Sequence, residues 1–360
     1  MRCRQLPASI PHTGVGAPTP SWGSVPRTTL HQVRHRLSRS APAIGLLWLS
    51  SIVGGAVPAQ GASPPAHGTE RGAYEWDDST WWPDPSSYTE KLTQLKTLGV
   101  TTLYVDITAA VSMEQSHSAA LATFLSDFES LVNTAGTDGF RVDAVGGDPT
   151  WATGDRKGPT ALLAAVAQIE TALAPGALDG VQFDVEPWGL AGWRAHKAGY
   201  ARDWLRFVQM SVTTWTHEAL SGRLGFTVPY WFDGDTGGVP PVTWAGSTNY
   251  PFQHALGILA PLADTALNVM AYRNSTAGAN GSVALFAGNM QAAMSAHSAT
   301  ELLAGQETGA ASPAEVTFYG TSCVTFDTAA TQIADAFDGD ALYGGIAVDD
   351  VESLEALCPA

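Results

Sequence analysis

Cations are scarce in this 360-residue chain. Lys and Arg number 18 against 34 Asp and Glu, for a formal net charge of −16. A phosphate-backbone partner needs clustered cations, so nucleic acid is excluded as a partner. Cysteine is nearly missing too, with three in all and no CxxC or Cys/His spacing, which excludes a cysteine-dense miniature fold and a cysteine-based zinc site. The mostly apolar stretch Ala41–Ala59 is broken by Pro42, Gly45, Ser50, Ser51, Gly54 and Gly55, so it would span a bilayer poorly. Charged residues of either sign make up only 14%.

What the chain does have is apolar and aromatic mass: 45% hydrophobic residues, with 12 Trp, 9 Tyr and 12 Phe. That is enough to build a sizeable core and rules out disorder over the bulk of the chain. The charge is split unevenly. Residues 1–62 carry six Arg and no acid, so residues 63–360 hold 12 basic and 34 acidic side chains. Arg34, Arg36 and Arg39, then the apolar stretch, then AVPAQGA follow the layout of a secretory signal peptide, with cleavage after Ala59 or Ala62. Its n-region is unusually long, and a start near Val33 would restore an ordinary one. The reading is a signal segment over 1–62, a linker over 63–71 and one catalytic domain over 72–360. The mature chain is expected to be extracellular, without stable membrane insertion, and monomeric. It keeps Cys323 and Cys358, which in an oxidising compartment are expected to pair as one disulfide, the alternative being two buried thiols.

Eight short runs rich in Val, Ile, Phe and Tyr read as strands: Ala73–Trp76, Thr102–Ile107, Arg141–Val145, Gly180–Val185, Leu224–Trp231, Ala266–Tyr272, Leu302–Glu307 and Gly345–Asp349. Helical stretches alternate with them, among them Tyr88–Leu98, Ser118–Thr134, Thr160–Leu173, Ala195–Leu220 and Ala329–Phe337. Strand–helix repeated eight times predicts a (β/α)8 barrel of the α/β class. The rival open nucleotide-binding sheet lacks its glycine fingerprint, because Asp77-Asp78-Ser79 follows the first strand. Trp193, Trp204 and Trp215 form a stripe read as packing, and Ala314–Phe326 reads as an extra hairpin.

Barrel enzymes draw their chemistry from the C-terminal ends of the strands. Those positions hold Glu75 and Asp77, Asp106, Asp148, Asp184 and Glu186, Asp233, Tyr272, Glu307, and Asp349 with Asp350. One such acid alone would more often be a helix cap. Together, close carboxylates raise one another's pKa and supply a proton donor beside a charged partner. With Trp76, Trp151, Trp188, Tyr230 and Trp231 as ring-stacking neighbours, the set predicts a carbohydrate substrate. His67, His117, His196, His217, His254 and His297 all lie away from predicted strand ends, so no metal or other cofactor is expected.

The fourth strand is the sharpest signal, Asp179-Gly-Val-Gln-Phe-Asp-Val-Glu186-Pro-Trp188. Period-two alternation turns Gln182, Asp184 and Glu186 to one face, with Glu186 highest and Asp184 below it to hold its proton. This segment resembles glycoside hydrolase family 18, the chitinase-like barrels, whose fourth strand reads DGxDxDxE. Asp179, Gly180, Asp184 and Glu186 match, while Gln182 replaces the middle Asp. Val145-Gly-Gly147 and Met270-Ala-Tyr272 are weaker echoes of the family's third and sixth strands. The resemblance implies Glu186 as general acid, and Asp184 with Tyr272 aiding attack by the substrate's own acetamido group. The chain departs from the family at strand eight, where Asp349 stands in place of the usual floor Trp, and at Arg273, where an Asp is usual.

A second resemblance, to the large retaining-glycosidase clan of barrels, pairs Glu186 with Glu307 as acid/base and nucleophile, although Val185 stands where that clan has Asn. Carboxylates about 5 Å apart would imply retention, and about 6.5–9.5 Å inversion. The expected function is thus a secreted O-glycoside hydrolase, retaining by substrate assistance or double displacement. Catalytic candidates are Glu186, Asp184, Glu307 and Tyr272. Binding candidates are Asp106, Trp76, Trp188, Tyr230, Trp231, Gln182 and Asp349. The alternatives are a non-catalytic carbohydrate-binding barrel, which would lack Glu186, and a metal-dependent hydrolase or deacetylase using oxygen ligands.

Overall fold

A computed structural model describes residues 68–76, 82–154, 156–234 and 238–359. The signal segment, most of the linker and Asp77 lie outside them. Eight parallel strands close into a barrel: β1 (Glu70–Glu75), β2 (Thr102–Asp106), β3 (Arg141–Gly146), β4 (Gly180–Phe183), β5 (Arg223–Pro229), β8 (Thr265–Met270), β9 (Glu301–Glu307) and β10 (Tyr343–Asp349). Each pairs with the barrel strands before and after it in the chain, and β10 closes on β1. The intervening strands β6 (Val242–Trp244) and β7 (Ser247–Asn249) form a separate antiparallel hairpin. All eight predicted strands fall on barrel strands, and the fold is a (β/α)8 barrel. The first strand begins at Glu70, inside the stretch read as linker.

The longer helices lie outside the barrel: α1 (Tyr88–Thr97), α2 (Thr108–Gln115), α3 (Ala120–Thr137), α4 (Pro149–Thr153), α5 (Lys157–Ala172), α6 (Trp193–His217), α7 (Pro251–Leu259), α8 (Ser282–Ser295), α9 (Cys323–Ala336) and α10 (Val351–Leu357). Outward strand residues such as Val181, Phe183, Leu224 and Phe226 pack under the helices with Leu162, Ile169, Trp204 and Phe207, all buried. The tryptophan stripe is packing, since Trp193, Trp204 and Trp215 are all buried in this layer. Among the described residues no helix is long and apolar enough to cross a membrane.

The hairpin expected over Ala314–Phe326 is absent. A single 3-10 turn covers Ala314–Val316, and α9 begins at Cys323. Ser322 explains the difference: its hydroxyl accepts from the Thr325 amide and caps the helix, which then buries Phe326, Ala329, Ala330 and Ile333. Strand-forming residue types lose here to a cap and an apolar stripe. Cys323, at the start of α9, is disulfide-bonded to Cys358, 35 residues on.

Inside the barrel, inward residues form layers. The bottom layer is ionic. Arg223, 1% exposed, donates from Nη1 to Glu70 (2.7 Å) and from Nη2 to Glu70 (2.9 Å) and Asp143 (2.8 Å). The Tyr104 hydroxyl adds a 2.6 Å bond to Glu70, and Arg141 lies 3.7 Å from it. Burial alone would raise the Glu70 pKa, but the Arg223 charge and hydrogen bonds, then Arg141 and Tyr104, hold it at about 2. Asp179 also sits at this end. It accepts from the Val142 amide at 2.8 Å, and burial raises its pKa to about 7. The first residue of the fourth-strand motif is therefore bottom-layer architecture, far down the strand from Glu186. Above lies an apolar layer of Tyr74, Tyr104, Val145, Ala266, Leu303 and Ala347.

Candidate active site

The fourth strand delivers its acids as alternation requires. Val181, Phe183 and Val185 are buried outward in the helix layer, and Gln182 is buried inward. Asp184 and Glu186 continue the inward face past the strand end, both partly exposed. Pro187 keeps Glu186 out of helical geometry (φ −111°, ψ 73°) and starts a short 3-10 turn. The third strand comes very close here: a Cβ on Gly147 would sit 1.7 Å from the Asp184 carbonyl oxygen. Only glycine lets the two backbones approach, which gives the Gly146-Gly147 echo a physical cause.

Tyr272 marks the centre of the mouth. Its hydroxyl pKa is pushed well above the ordinary tyrosine value by burial, then by Asp349, Glu307, Glu186 and Asp184, in that order. Four carboxylates from three strand ends thus act on one phenol. Room for its ring comes from Gly305, where a Cβ would stand 3.0 Å from the Tyr272 Cε1. Glu307 is pushed up to about 9, first by burial and then by the Asp349 charge, with Asp350 and Glu186 adding to it. The 2.6 Å bond from the Gly309 amide to its Oε1 works the other way without overcoming them.

The floor is aromatic. The Trp76 indole stacks on Tyr74 with centroids 5.1 Å apart and planes 10° from parallel, and its Nε1 donates to Asp349 Oδ1 at 2.7 Å. Beneath, the Tyr74 hydroxyl meets Thr227 Oγ1 at 3.0 Å and accepts from Asn268 Nδ2 at 2.7 Å. Gln182 Nε2 donates to the same Thr227 oxygen at 3.1 Å. Gln182 Oε1 and Asn268 Oδ1 are buried with no hydrogen-bond donor among the described residues.

Other predicted residues stand elsewhere. Asp106 accepts from the Thr108 amide (2.8 Å) and hydroxyl (2.5 Å), fastening the turn into α2. Asp148 and Asp350 likewise cap α4 and α10. Glu75 points outward and bonds to Glu352. Trp151 is buried against Phe183. Trp188 and Trp231 are partly exposed and pack on each other and on Trp193 and Phe232 as one aromatic cluster. Tyr230 is buried beneath the Arg273 guanidinium, 5.6 Å from its ring centre. Arg273 itself turns to the Tyr272 carbonyl (2.6 Å) and Asn280 (2.9 Å). Asn274 has its amide nitrogen tied to the Ala314 and Thr317 carbonyls. Among the described residues no group of three or more His, Cys, Asp or Glu is arranged to hold a metal ion.

Sequence reasoning missed Tyr74, Thr227 and Asn268, although each is a polar residue on the inward parity of its strand. It also missed the ionic layer, because Arg223 lies just before the predicted start of the fifth strand.

The sequence matches no family model and no curated protein. Solved structures do resemble the fold. An exo-β-1,4-mannosidase from Opitutaceae bacterium strain TAV5 matches 81% of this chain with a TM-score of 0.53 at 14% identity. The match covers 54% of that protein's chain, so this chain spans about half its length. A family 1 β-glucosidase from Thermotoga maritima matches 80% of this chain and 88% of its own, with a TM-score of 0.50 at 10% identity. At such identity the likeness is one of backbone architecture, and what this chain shares with these glycoside hydrolases is the (β/α)8 barrel.

Proposed function

We propose that this protein is a secreted glycoside hydrolase acting on an oligo- or polysaccharide. The observation that carries the reading is the convergence of Asp184, Glu186, Glu307 and Asp349 on the Tyr272 hydroxyl, beside the Trp76 ring, at the C-terminal mouth of the barrel. Sugars are bound by such pairings of aromatic faces with hydroxyl-gripping carboxylates, and glycosidic bonds are broken by carboxyl pairs. The mannosidase and the β-glucosidase whose barrels resemble this one are in keeping with that reading.

Glu186 is the general acid that protonates the leaving oxygen, and Asp184, two residues below on the same face, orients it. Tyr272 and Trp76 hold the sugar ring, and Trp188 with Trp231 forms the neighbouring wall. Glu307 bears on the choice of mechanism. A carboxyl pushed up to about 9 is neutral near pH 7, and a neutral carboxyl is a poor nucleophile. That favours attack by a group on the substrate itself over double displacement.

The test is a hydrolysis screen of the secreted chain on defined oligosaccharides, with NMR of the product anomers, for wild type and Glu186→Gln. Turnover with retention is expected in wild type. The variant should lose at least about 100-fold, the lower end of what a positioned proton donor contributes, with its melting temperature nearly unchanged. Full activity in Glu186→Gln would overturn the assignment. Turnover abolished by a chelator and restored by a divalent cation would favour the metal-dependent alternative.

A further inference from the structure

An aromatic face offers an apolar surface on which the C–H face of a sugar ring can pack. At the end of the first barrel strand the Trp76 indole lies flat on Tyr74 and reaches Asp349. An indole at a strand end, stacked on Tyr74 among the described residues, has several rotamers open to it unless a directed contact selects one. The structure fixes one of them by a single directed contact, Trp76 Nε1 to Asp349 Oδ1 at 2.7 Å, which ties the first strand to the last across the barrel closure. Tyr74 below is itself immobilised, with Thr227 and Asn268 holding its hydroxyl. Trp76 is therefore gripped at its rim by a carboxylate and from beneath by a fixed ring.

We propose that Asp349 is a positioning residue. Its Oδ1 locks the Trp76 indole as the stacking platform for the sugar at the reacting subsite, and Asp349 acts on substrate binding through Trp76. The proposal rests on the glycosidase reading, and it deepens that reading by assigning the subsite's floor to the first strand. The acceptor must be a planar, fixed oxygen, and asparagine offers one at the same place. A leucine of similar size offers none, and would leave the half-buried indole N–H without this acceptor.

The test combines a substrate-free signal with kinetics, using the secreted chain. In 15N-Trp-labelled protein, the Trp76 indole N–H resonance is assigned by its loss in Trp76→Phe. Asp349→Leu should shift that resonance upfield and speed its exchange with solvent, and Asp349→Asn should restore both toward wild type. On an oligosaccharide substrate, Asp349→Leu should raise KM about 10- to 100-fold, the range for losing a hydrogen bond to a charged group, and lower kcat by a smaller factor. Asp349→Asn should recover most of that KM. The Trp76→Phe/Asp349→Leu double variant should show no greater KM than the larger single effect. An indole resonance unmoved by Asp349→Leu, or KM effects that multiply in the double variant, would overturn the positioning role. If Asp349→Leu does not fold, the Asp349→Asn and Trp76→Phe comparison decides: rescue in the first and a KM rise in the second support the role, and the reverse sinks it. Absence of any turnover or binding by the wild-type chain overturns the glycosidase reading and the platform with it. Wild-type turnover with an unresponsive indole overturns the Asp349 role alone.

Discussion

Replacing Arg223 by Met tests the ionic layer at the barrel bottom. The substitution keeps most of the side-chain length and removes a guanidinium that is 1% exposed and bonded to both Glu70 and Asp143. Glu70 is held at about 2 from an ordinary 4.5. At about 1.4 kcal/mol per pH unit, that difference represents about 3 kcal/mol of stability at neutral pH. Stranding a buried carboxylate typically costs about 3–5 kcal/mol, so the two figures agree. For a domain of this size the loss corresponds to roughly 6–15 °C in Tm. The pH dependence is the sharper readout. A carboxylate with a lowered pKa contributes stability that is fully present above its unfolded value and fades as pH falls through the folded one. The wild-type advantage over Arg223→Met should therefore be largest at pH 7, shrink below pH 4.5 and nearly vanish by about pH 2. Urea denaturation at pH 7, 4 and 2.5 measures it. A loss under about 1 kcal/mol at pH 7, or an equal loss at pH 7 and pH 2.5, would refute the reasoning.

Two further outcomes follow from the same structure. Glu307 is raised by burial, Asp349, Asp350 and Glu186 against the Gly309 amide, so activity that needs its neutral form should fall as pH rises through about 9. In Asp349→Asn that alkaline limb should move to lower pH, because a like charge has been removed; a pH–rate profile of kcat/KM that stays fixed or moves upward would contradict it. Reducing Cys323–Cys358, or replacing Cys358 by Ser, opens a loop with a sequence separation of 35. It should cost roughly 3–4 kcal/mol by the chain-entropy relation, visible as a lower urea midpoint with little change in kcat.

The barrel was legible because each strand is a short β-branched and aromatic run bounded by Gly, Asp or Pro, and because eight of them alternate with helices. The small hairpin Val242–Asn249 was not, since two three-residue strands carry no periodic signal. Ala314–Phe326 misled because Thr, Phe, Tyr and Val favour strands, whereas the Ser322 cap needs only one hydroxyl to start a helix there. At the mouth, strand parity put Gln182, Asp184 and Glu186 on one inward face. It could not separate acids that face the bowl from those spent on caps, such as Asp106 and Asp148. That distinction depends on the following Thr108 and Thr150, whose amides and hydroxyls claim the carboxylates. Trp76 was named from its strand-end position, but its hold on Asp349 joins residues 273 apart and has no local trace in the sequence.

The two ends of the barrel treat the same chemical group in opposite ways. Glu70 and Glu307 both point inward and both are desolvated, which alone would raise each pKa. At the bottom, Arg223 and Arg141 overcome that term and hold Glu70 near 2. At the mouth, the charges acting on Glu307 are carboxylates, and its pKa goes to about 9 instead. The cation nearest in sequence to Tyr272 is Arg273, which is turned onto the Tyr272 carbonyl, Asn280 and the Tyr230 ring. The arginines therefore account for the contrast between Glu70 and Glu307. A stabilising layer needs charged acids matched by cations. At the mouth the charges that raise Glu307 are all acids, at the end of the barrel where Trp76 stacks on Tyr74 and bonds to Asp349.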